Sequence, residues 1–276
     1  MRVALSILFL CVFTQVPKNS ASTGISFEEW QAQHEKAYLS KEERDFRLNT
    51  WLENQRHVQS HNAAFEVGLT SYAKSMNGPF ADLTDEEFLQ QYLMEPQDCS
   101  ATHLSSGRLR PQNSETMAAH PAMDWRTKGI LTAVKDQGKC GSCWTFSTSG
   151  CLEAHICQQA RKDCTHWKGL AEEQLVECAG NFDNHGCSGG LPSHAYEYLK
   201  YSGGMALEKD YPYIAPETGG KNQCTISTTP GWRAQVAEVF NVTTLDEEDL
   251  AYAVANIGPV SVAYQVSPDF RLYSHG

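Results

Sequence analysis

A pair of cysteines followed at once by an apolar segment constrains this chain more than any other feature. The stretch reads Gln137-Gly-Lys-Cys140-Gly-Ser-Cys143-Trp-Thr-Phe146. A C-x-x-C pair can be a thioredoxin-like redox couple, half of a zinc site, or a nucleophilic thiol beside a structural cysteine. The preceding segment, 135–139, is hydrophilic and turn-like, which disfavours the redox couple. The other pair, Cys178 and Cys187, is spaced too widely for a zinc site.

The third possibility agrees with what a thiol nucleophile needs. A thiol attacks a carbonyl as the thiolate, which a helix N-terminus and a neighbouring imidazolium both favour. The segment from Trp144 to Cys157 is predicted to be helical with Ser142 at its N-cap, so Cys143 falls in the first turn. Gln137 is expected to donate its side-chain amide to the oxyanion, beside the backbone N–H of Cys143.

The pentapeptide from Cys140 to Trp144 resembles the signature of the papain and cathepsin cysteine peptidases. Further segments are similar to this family in the expected order: Met123–Arg126, Leu170–Cys178, Gly186–Gly190, and Asp210–Tyr213 followed by Cys224.

The resemblance implies an α+β, papain-like two-domain fold, with a helical left domain and a β-barrel right domain. Barrel strands are expected at 235–243 and 260–266. The resemblance also implies disulfides Cys140–Cys187 and Cys178–Cys224, and a substrate-binding strand at Gly189 and Gly190, where close backbone approach calls for glycine.

Upstream, residues 22–94 are similar to a helical inhibitory prodomain. The residues that carry this resemblance recur in register along one predicted helix: Glu43, Arg47, Trp51, Asn54, Val58 and Asn62. A second prodomain motif follows at Asn77–Asp82, and Thr84–Glu87 predicts the start of a short helix over 85–93. Such a prodomain fills the active-site cleft until it is removed.

The N-terminus and the charge balance indicate the compartment and exclude some partners. Arg2 precedes an apolar run over 3–16, which predicts a signal peptide at 1–21. Ten cysteines suit an oxidising compartment. With 22 Lys and Arg against 33 Asp and Glu, the net charge of −11 argues against a nucleic-acid partner. We expect a lysosomal or secreted product with no membrane partner after signal cleavage.

The segment Glu95–Thr102 resembles the disulfide-linked mini-chain of the aminopeptidase branch of this family. The terminal carboxylate of Thr102 would then hold the free amine of the substrate, and residues 103–120 would be a processed linker. The family resemblance further implies peptide and protein substrates, cystatin-type inhibitors, and no cofactor or metal.

The family's catalytic base is a histidine roughly 130–150 residues after the cysteine. Of the ten histidines, His275 alone falls at that spacing, and its context is not that of the base. We therefore expect a peptidase domain over 121–276 that stops before its histidine and is inactive by itself. The alternative is an inactive homologue whose prodomain inhibits related peptidases.

Three further features complete the sequence predictions. Cys151 is expected to be a small buried side chain within the catalytic helix. Cys157 and Cys164 could form an extra disulfide. Asn241 begins a glycosylation sequon, Asn241-Val-Thr243.

Overall fold

A computed structural model describes residues 25–93, 122–220, 223–227 and 231–276 of the chain. The predicted signal peptide (1–21), the mini-chain (95–102, with Cys99 and Thr102) and nearly all of the linker lie outside the described residues. The described chain forms two compact units. The first comprises residues up to Thr84 together with 269–276, and the second comprises 85–268.

Helices dominate both units. They are α1 (Phe27–Gln33), α2 (Lys41–Glu66), α3 (Asp85–Tyr92), α4 (Cys143–Ala160), α5 (Glu172–Cys178), α6 (Pro192–Ser202), α7 (Ala215–Thr218) and α8 (Glu247–Asn256). Short 3-10 turns cover Trp125–Lys128, Gly180–Phe182 and Pro268–Leu272. The strands are β1 (Ala73–Lys74), β2 (Met205–Ala206), β3 (Arg233–Ala234) and β4 (Tyr273–His275), in the antiparallel pairs β1–β4 and β2–β3.

Aromatic side chains form the core of the first unit. Ser26 caps α1 through a capping box with Glu29, which directs the apolar face of this short helix inward. Phe27 and Trp30 are buried there against Trp51 of α2, with the Phe27 and Trp51 rings 5.9 Å apart, edge to face. The indole N–H of Trp30 donates to the Gly78 carbonyl at 3.0 Å, which ties the helices to the following loop.

The residues of the prodomain motif use their side chains to hold that loop. Asn54 donates from Nδ2 to the carbonyls of Ala81 and Leu83, at 2.8 and 3.0 Å. Asn62 bonds both backbone groups of Lys74. The motif therefore has a structural meaning, because its amides satisfy backbone groups of Lys74, Ala81 and Leu83.

The segment 269–276 packs within this first unit, a feature that the sequence analysis did not foresee. β4 pairs with β1, and Leu272 is buried in the aromatic core. Lys74 lies 2.7 Å from Asp269, and Arg271 donates to Asn54 Oδ1 at 2.8 Å. A short strand and two charged contacts thus join this segment to the prodomain residues.

The second unit is built around α4, which packs against α5 and α6. Its core is apolar, with Trp144, Leu175, Leu199 and Met205 nearly inaccessible to solvent. Beside this core lies a buried ionic group, in which Lys135 Nζ is 2.5 Å from Glu153 of α4 and 2.6 Å from Glu172 of α5. Pairing with one cation offsets the cost of burying two carboxyl groups, and it fixes α4 relative to α5.

The prediction of barrel strands at 235–243 and 260–266 was wrong. Neither segment is a strand in the structure, and β3 ends at Ala234. An apolar alternating segment becomes a strand only when another strand supplies its ladder of hydrogen bonds. Among the described residues, the only ladders are two short antiparallel pairs. In the part of the chain that the structure describes, no helix is long and apolar enough to cross a membrane.

Candidate active site

Cys143 is the first residue of α4, as the sequence predicted, and its side chain is exposed. It is not part of a disulfide. The N-terminal turn of a helix favours the thiolate by about 1 kcal/mol. Ser142 occupies the N-cap position, as predicted, but its side chain makes no capping hydrogen bond. Its hydroxyl lies 2.6 Å from the phenol oxygen of Tyr213 instead, so the cap is exchanged for a tertiary contact.

The loop before Cys143 is fixed to the glycine-rich loop at 186–190. Cys140 and Cys187 form a disulfide, and the N–H of Gly141 donates to the Cys187 carbonyl at 2.9 Å. Gln137, predicted to bind the oxyanion, donates from Nε2 to the Cys140 carbonyl at 2.7 Å. An amide carries two N–H donors, so this bond orients the Gln137 side chain and uses only one of them.

The two glycines predicted to bind substrate occupy tightly constrained positions. Gly189 has a φ of +116°, a conformation that side chains strain. A Cβ on Gly190 would lie 2.8 Å from the ring of Trp144, the residue after the nucleophile. The Trp144 indole in turn donates to the Gly186 carbonyl at 3.1 Å. The structure therefore brings Cys143, Gln137 and the glycine loop into one neighbourhood.

Sequence reasoning gave Tyr213 no role at this site. Its hydroxyl donates to the Gln137 carbonyl at 2.8 Å and so must accept from Ser142. Burial raises the pKa of Tyr213 to about 12, so it remains a donor. Its ring packs edge to face on Phe146 at 5.0 Å. The Asp210–Tyr213 motif was a signal for this residue, although its contacts span 71 and 76 residues of sequence.

Tyr264 is a second residue that the sequence did not single out. Burial, and then the negative charge of Cys143, raises the pKa of the Tyr264 phenol. The phenol is therefore within electrostatic reach of the sulfur. Tyr264 as a whole is 64% exposed.

The remaining predicted residues lie elsewhere or outside the described ranges. His275 is on β4, with Nδ1 2.9 Å from the Ser274 hydroxyl and its ring edge-on to Phe65. Asn241 lies in the irregular segment before α8 and is partly exposed. Thr102 is not described. No group of three His, Cys, Asp or Glu side chains in the described ranges is placed to hold a metal ion.

The disulfides brace this unit at three points. Cys140–Cys187 and Cys178–Cys224 are the pairs that the resemblance implied, and Cys157–Cys164 is the extra bridge that the sequence suggested. The last of these closes the C-terminal end of α4 onto the following loop. Both ends of the helix that carries Cys143 are thus next to covalent crosslinks. Cys151, within α4, is not in a disulfide and is partly exposed, so the expectation of a buried small side chain was wrong.

Comparison with known families gives two matches that together cover most of the chain. Residues 119–276 match the papain family cysteine protease model, and residues 27–88 match the cathepsin propeptide inhibitor domain, I29.

Individual relatives agree with both matches. The chain is 43% identical over 255 residues to pro-cathepsin H of Bos taurus, covering 91% of this chain and 69% of the relative. It is also 43% identical to a thiol protease aleurain-like protein of Arabidopsis thaliana, covering 91% of this chain and 65% of the relative. The chain thus spans about two thirds of the length of these relatives.

Among solved structures, the digestive procathepsin L 3 of Tenebrio molitor superposes with a TM-score of 0.71. It is 30% identical, and the match covers 90% of this chain and 75% of that one.

Proposed function

The chain belongs to the papain family of cysteine peptidases and carries the I29 propeptide domain of their precursors; on this basis we propose that it is the precursor of a lysosomal peptidase of the cathepsin H type. The product would remove residues from the free amino end of peptides and have some endopeptidase activity. The observation that carries the proposal is the exposed thiol of Cys143 at the start of α4, next to the Gln137 loop.

The proposed reaction is acyl transfer through a thioester. The Cys143 thiolate attacks the peptide carbonyl, and the oxyanion receives hydrogen bonds from the Cys143 backbone N–H and the Gln137 amide. Collapse of the tetrahedral intermediate forms the thioester and expels the amine, which needs a proton from an imidazole. Water then hydrolyses the thioester. The chemistry calls for no metal or cofactor.

The preference for a free amine rests on the Thr102 carboxylate of the proposed mini-chain. A carboxylate at the end of the cleft pairs with the substrate ammonium, and a blocked amine leaves that charge unpaired. We further propose a signal peptide at 1–21, a glycan at Asn241 and inhibition by cystatin-type proteins. The relatives named pro-cathepsin H support the cathepsin H type. The apolar run at 3–16 supports the signal peptide, the sequon supports the glycan, and the family resemblance supports inhibition by cystatin-type proteins.

A peptide p-nitrophenyl ester tests the proposal, because its leaving group departs without a proton and acylation can be followed apart from turnover. The processed chain and a Cys143→Ala variant are given the ester with a free or an acetylated amine. We expect a burst of p-nitrophenol from the chain, larger for the free amine, and none from Cys143→Ala. Equal bursts from both proteins would overturn the role of Cys143. Equal bursts from both esters would overturn the cathepsin H type in favour of an endopeptidase.

The second candidate function is inhibition of related peptidases by the prodomain. It is favoured by the first unit, whose residues have an aromatic core of their own. The test adds the unprocessed Cys143→Ala chain to an active papain-family peptidase. Inhibition of the added enzyme, combined with a burst but no steady turnover by the processed chain, would favour this function over the first.

A further inference from the structure

Two carboxyl groups hold a short backbone segment next to the loop that carries Gln137. The segment, 213–215, leads into α7, and its three consecutive N–H groups all donate to carboxylate oxygens. The N–H of Tyr213 donates to Glu208 Oε1 at 3.0 Å. The next two N–H groups both donate to Glu173 Oε2, at 2.9 and 2.8 Å. The segment is thus anchored by side chains from outside itself.

Both carboxyl groups are held there at a cost in stability. In the described part of the chain, Oε1 of Glu173 and Oε2 of Glu208 are closed off from solvent and have no hydrogen-bond partner. The nearby cation, Lys135, is already paired with Glu153 and Glu172. Burial raises the pKa of Glu173 and of Glu208 to about 7, although the hydrogen bonds from the segment lower it. Because desolvating a carboxyl group is unfavourable, what these two supply in return is a fixed position for the segment.

The other side of the segment contacts the loop that carries Gln137. The Tyr213 hydroxyl donates to the Gln137 carbonyl at 2.8 Å and lies 2.6 Å from the Ser142 hydroxyl. One residue beyond the segment, Pro216 lies close to Gly138, because a Cβ on Gly138 would be 2.8 Å from Pro216 Cγ. The position of the segment therefore fixes the position of the backbone at Gln137 and Gly138.

We propose that Glu208 and Glu173 are positioning residues for the peptidase reaction, because they hold Tyr213 where it places the Gln137 amide beside the oxyanion. The inference rests on the proposed function, in which Gln137 is the side-chain donor to the oxyanion. A misplaced donor stabilises the tetrahedral intermediate less well, and a shift of about 1 Å can cost about 10²-fold in rate. Both carboxyl groups act through the segment and not on the substrate.

The proposal requires the hydrogen bond that Glu208 accepts and not its charge. In Glu208→Gln the amide oxygen still accepts from the Tyr213 N–H, whereas Glu208→Met has a side chain of similar length with no oxygen acceptor. A carboxylate that acted through its charge would instead change the thiolate fraction of Cys143, and both variants would lose that effect equally. The two variants therefore separate position from charge.

The test compares Glu208→Met and Glu208→Gln with the parent chain, processed as in the ester test. Two rates are measured for each protein. Acylation of Cys143 by the free-amine p-nitrophenyl ester forms an oxyanion, and alkylation of Cys143 by iodoacetamide forms none. The matched control is Asp249→Leu in α8. Asp249 is a buried carboxyl that accepts from the Thr243 N–H at 2.8 Å, so the control removes the same kind of bond elsewhere in this unit.

We expect Glu208→Met to slow acylation roughly tenfold and to leave alkylation within about twofold, while Glu208→Gln recovers most of the acylation rate. Asp249→Leu should acylate at the parent rate. In a Tyr213→Phe background, which already lacks the bond to the loop, Glu208→Met should slow acylation by less than about threefold. Equal slowing by Glu208→Met and Asp249→Leu, or by Glu208→Met and Glu208→Gln, would overturn the proposal.

An NMR measurement on the unprocessed chain decides the inference independently of activity. The side-chain amide resonances of Gln137 report its hydrogen bond to the Cys140 carbonyl. Glu208→Met should move them, and Glu208→Gln should leave them near their parent positions. No ester burst from the parent chain would overturn the proposed function, and unmoved resonances in Glu208→Met would overturn the inference. If Glu208→Met does not fold, Glu208→Asp, which withdraws the acceptor by one methylene, replaces it in both measurements.

Discussion

The phenol of Tyr213 donates a hydrogen bond to the backbone carbonyl of Gln137, 2.8 Å away, and accepts one from Ser142. One side chain thus connects the predicted oxyanion donor to the N-cap of the helix that begins at Cys143. The contact fixes the position of the Gln137 backbone, while the Gln137 amide is held separately by Cys140. Tyr213 is therefore a positioning residue in the proposed reaction.

Tyr213→Phe should keep the ring contact with Phe146 and lose both hydrogen bonds. We expect about 1 kcal/mol of lost stability, because a partly buried carbonyl loses its donor. The p-nitrophenyl ester burst should slow roughly tenfold, while alkylation of Cys143 by iodoacetamide, which forms no oxyanion, should be unchanged. The control is Tyr211→Phe, whose hydroxyl bonds Glu177 and the Thr225 amide instead. If Tyr211→Phe slows the burst equally, the effect is general destabilisation.

The Gln137→Ala variant should separate the rate of acylation from the rate of alkylation more clearly than Tyr213→Phe does. Loss of one oxyanion donor typically lowers kcat about 10²–10³-fold, so the rate of acylation by the ester should fall by that order. The rate of iodoacetamide alkylation at Cys143 should stay within about twofold, since this reaction develops no oxyanion at the Gln137 amide. A parallel fall in both rates would show instead that Gln137 controls the thiolate or the access to it.

What the sequence predicted well was local. The start of α4 follows from a short motif and an apolar segment within a few residues, and the structure begins the helix at Cys143. The prodomain helix likewise follows from residues spaced along one face of α2. Such patterns depend only on residues that are close in sequence, so they can be detected in a single sequence.

What the sequence missed depends on long-range pairing. The contacts of Tyr213 cross more than 70 residues, and two-residue strands such as β1 show no periodicity that could predict their pairing with β4. The strands at 235–243 and 260–266 were expected from the family resemblance alone, and a strand forms only where another strand supplies its ladder of hydrogen bonds.

His57 gives the first unit a pH-dependent contact. Lys74 donates to its Nε2 at 2.7 Å and also pairs with Asp269, so His57 must be neutral to accept. Burial, and then the charge of Lys74, lowers the pKa of His57. Because the unfolded chain takes up this proton first, the contribution to stability is present above about pH 6.5 and is lost as pH falls through the lower folded pKa.

We expect the protection factors of the amides at 72–76, which include the Ser75 to Leu272 bond, to fall between pH 7.5 and 5.5. His57→Gln should reduce this fall by less than about 1 kcal/mol, because His57 is largely in solvent. His166→Gln, an exposed position in the second unit, serves as the matched control. Identical pH profiles for His57→Gln and the parent chain would contradict a role for this histidine.

In the second unit, the buried carboxyl group of Glu173 is expected to make stability depend on pH in the opposite direction. Its Oε2 accepts from the N–H groups of Ile214 and Ala215, at 2.9 and 2.8 Å. Burial raises the pKa of Glu173 to about 7 against these hydrogen bonds, and the neighbouring Glu177 adds to the rise. The unfolded carboxyl ionises near 4.5, so stability is fully present below that pH and is lost as pH rises through about 7.

The contribution of Glu173 can be measured by denaturant unfolding at pH 4.5, 6 and 8. The proteins compared are the parent chain, Glu173→Gln and Glu217→Gln. A glutamine oxygen still accepts from both backbone N–H groups and carries no charge, so Glu173→Gln should lose about 1–2 kcal/mol less than the parent between pH 4.5 and 8. Glu217→Gln, an exposed change on α7, should follow the parent. If Glu173→Gln also follows it, the carboxyl is ionised in the folded state throughout, and the greater stability in acid must arise elsewhere.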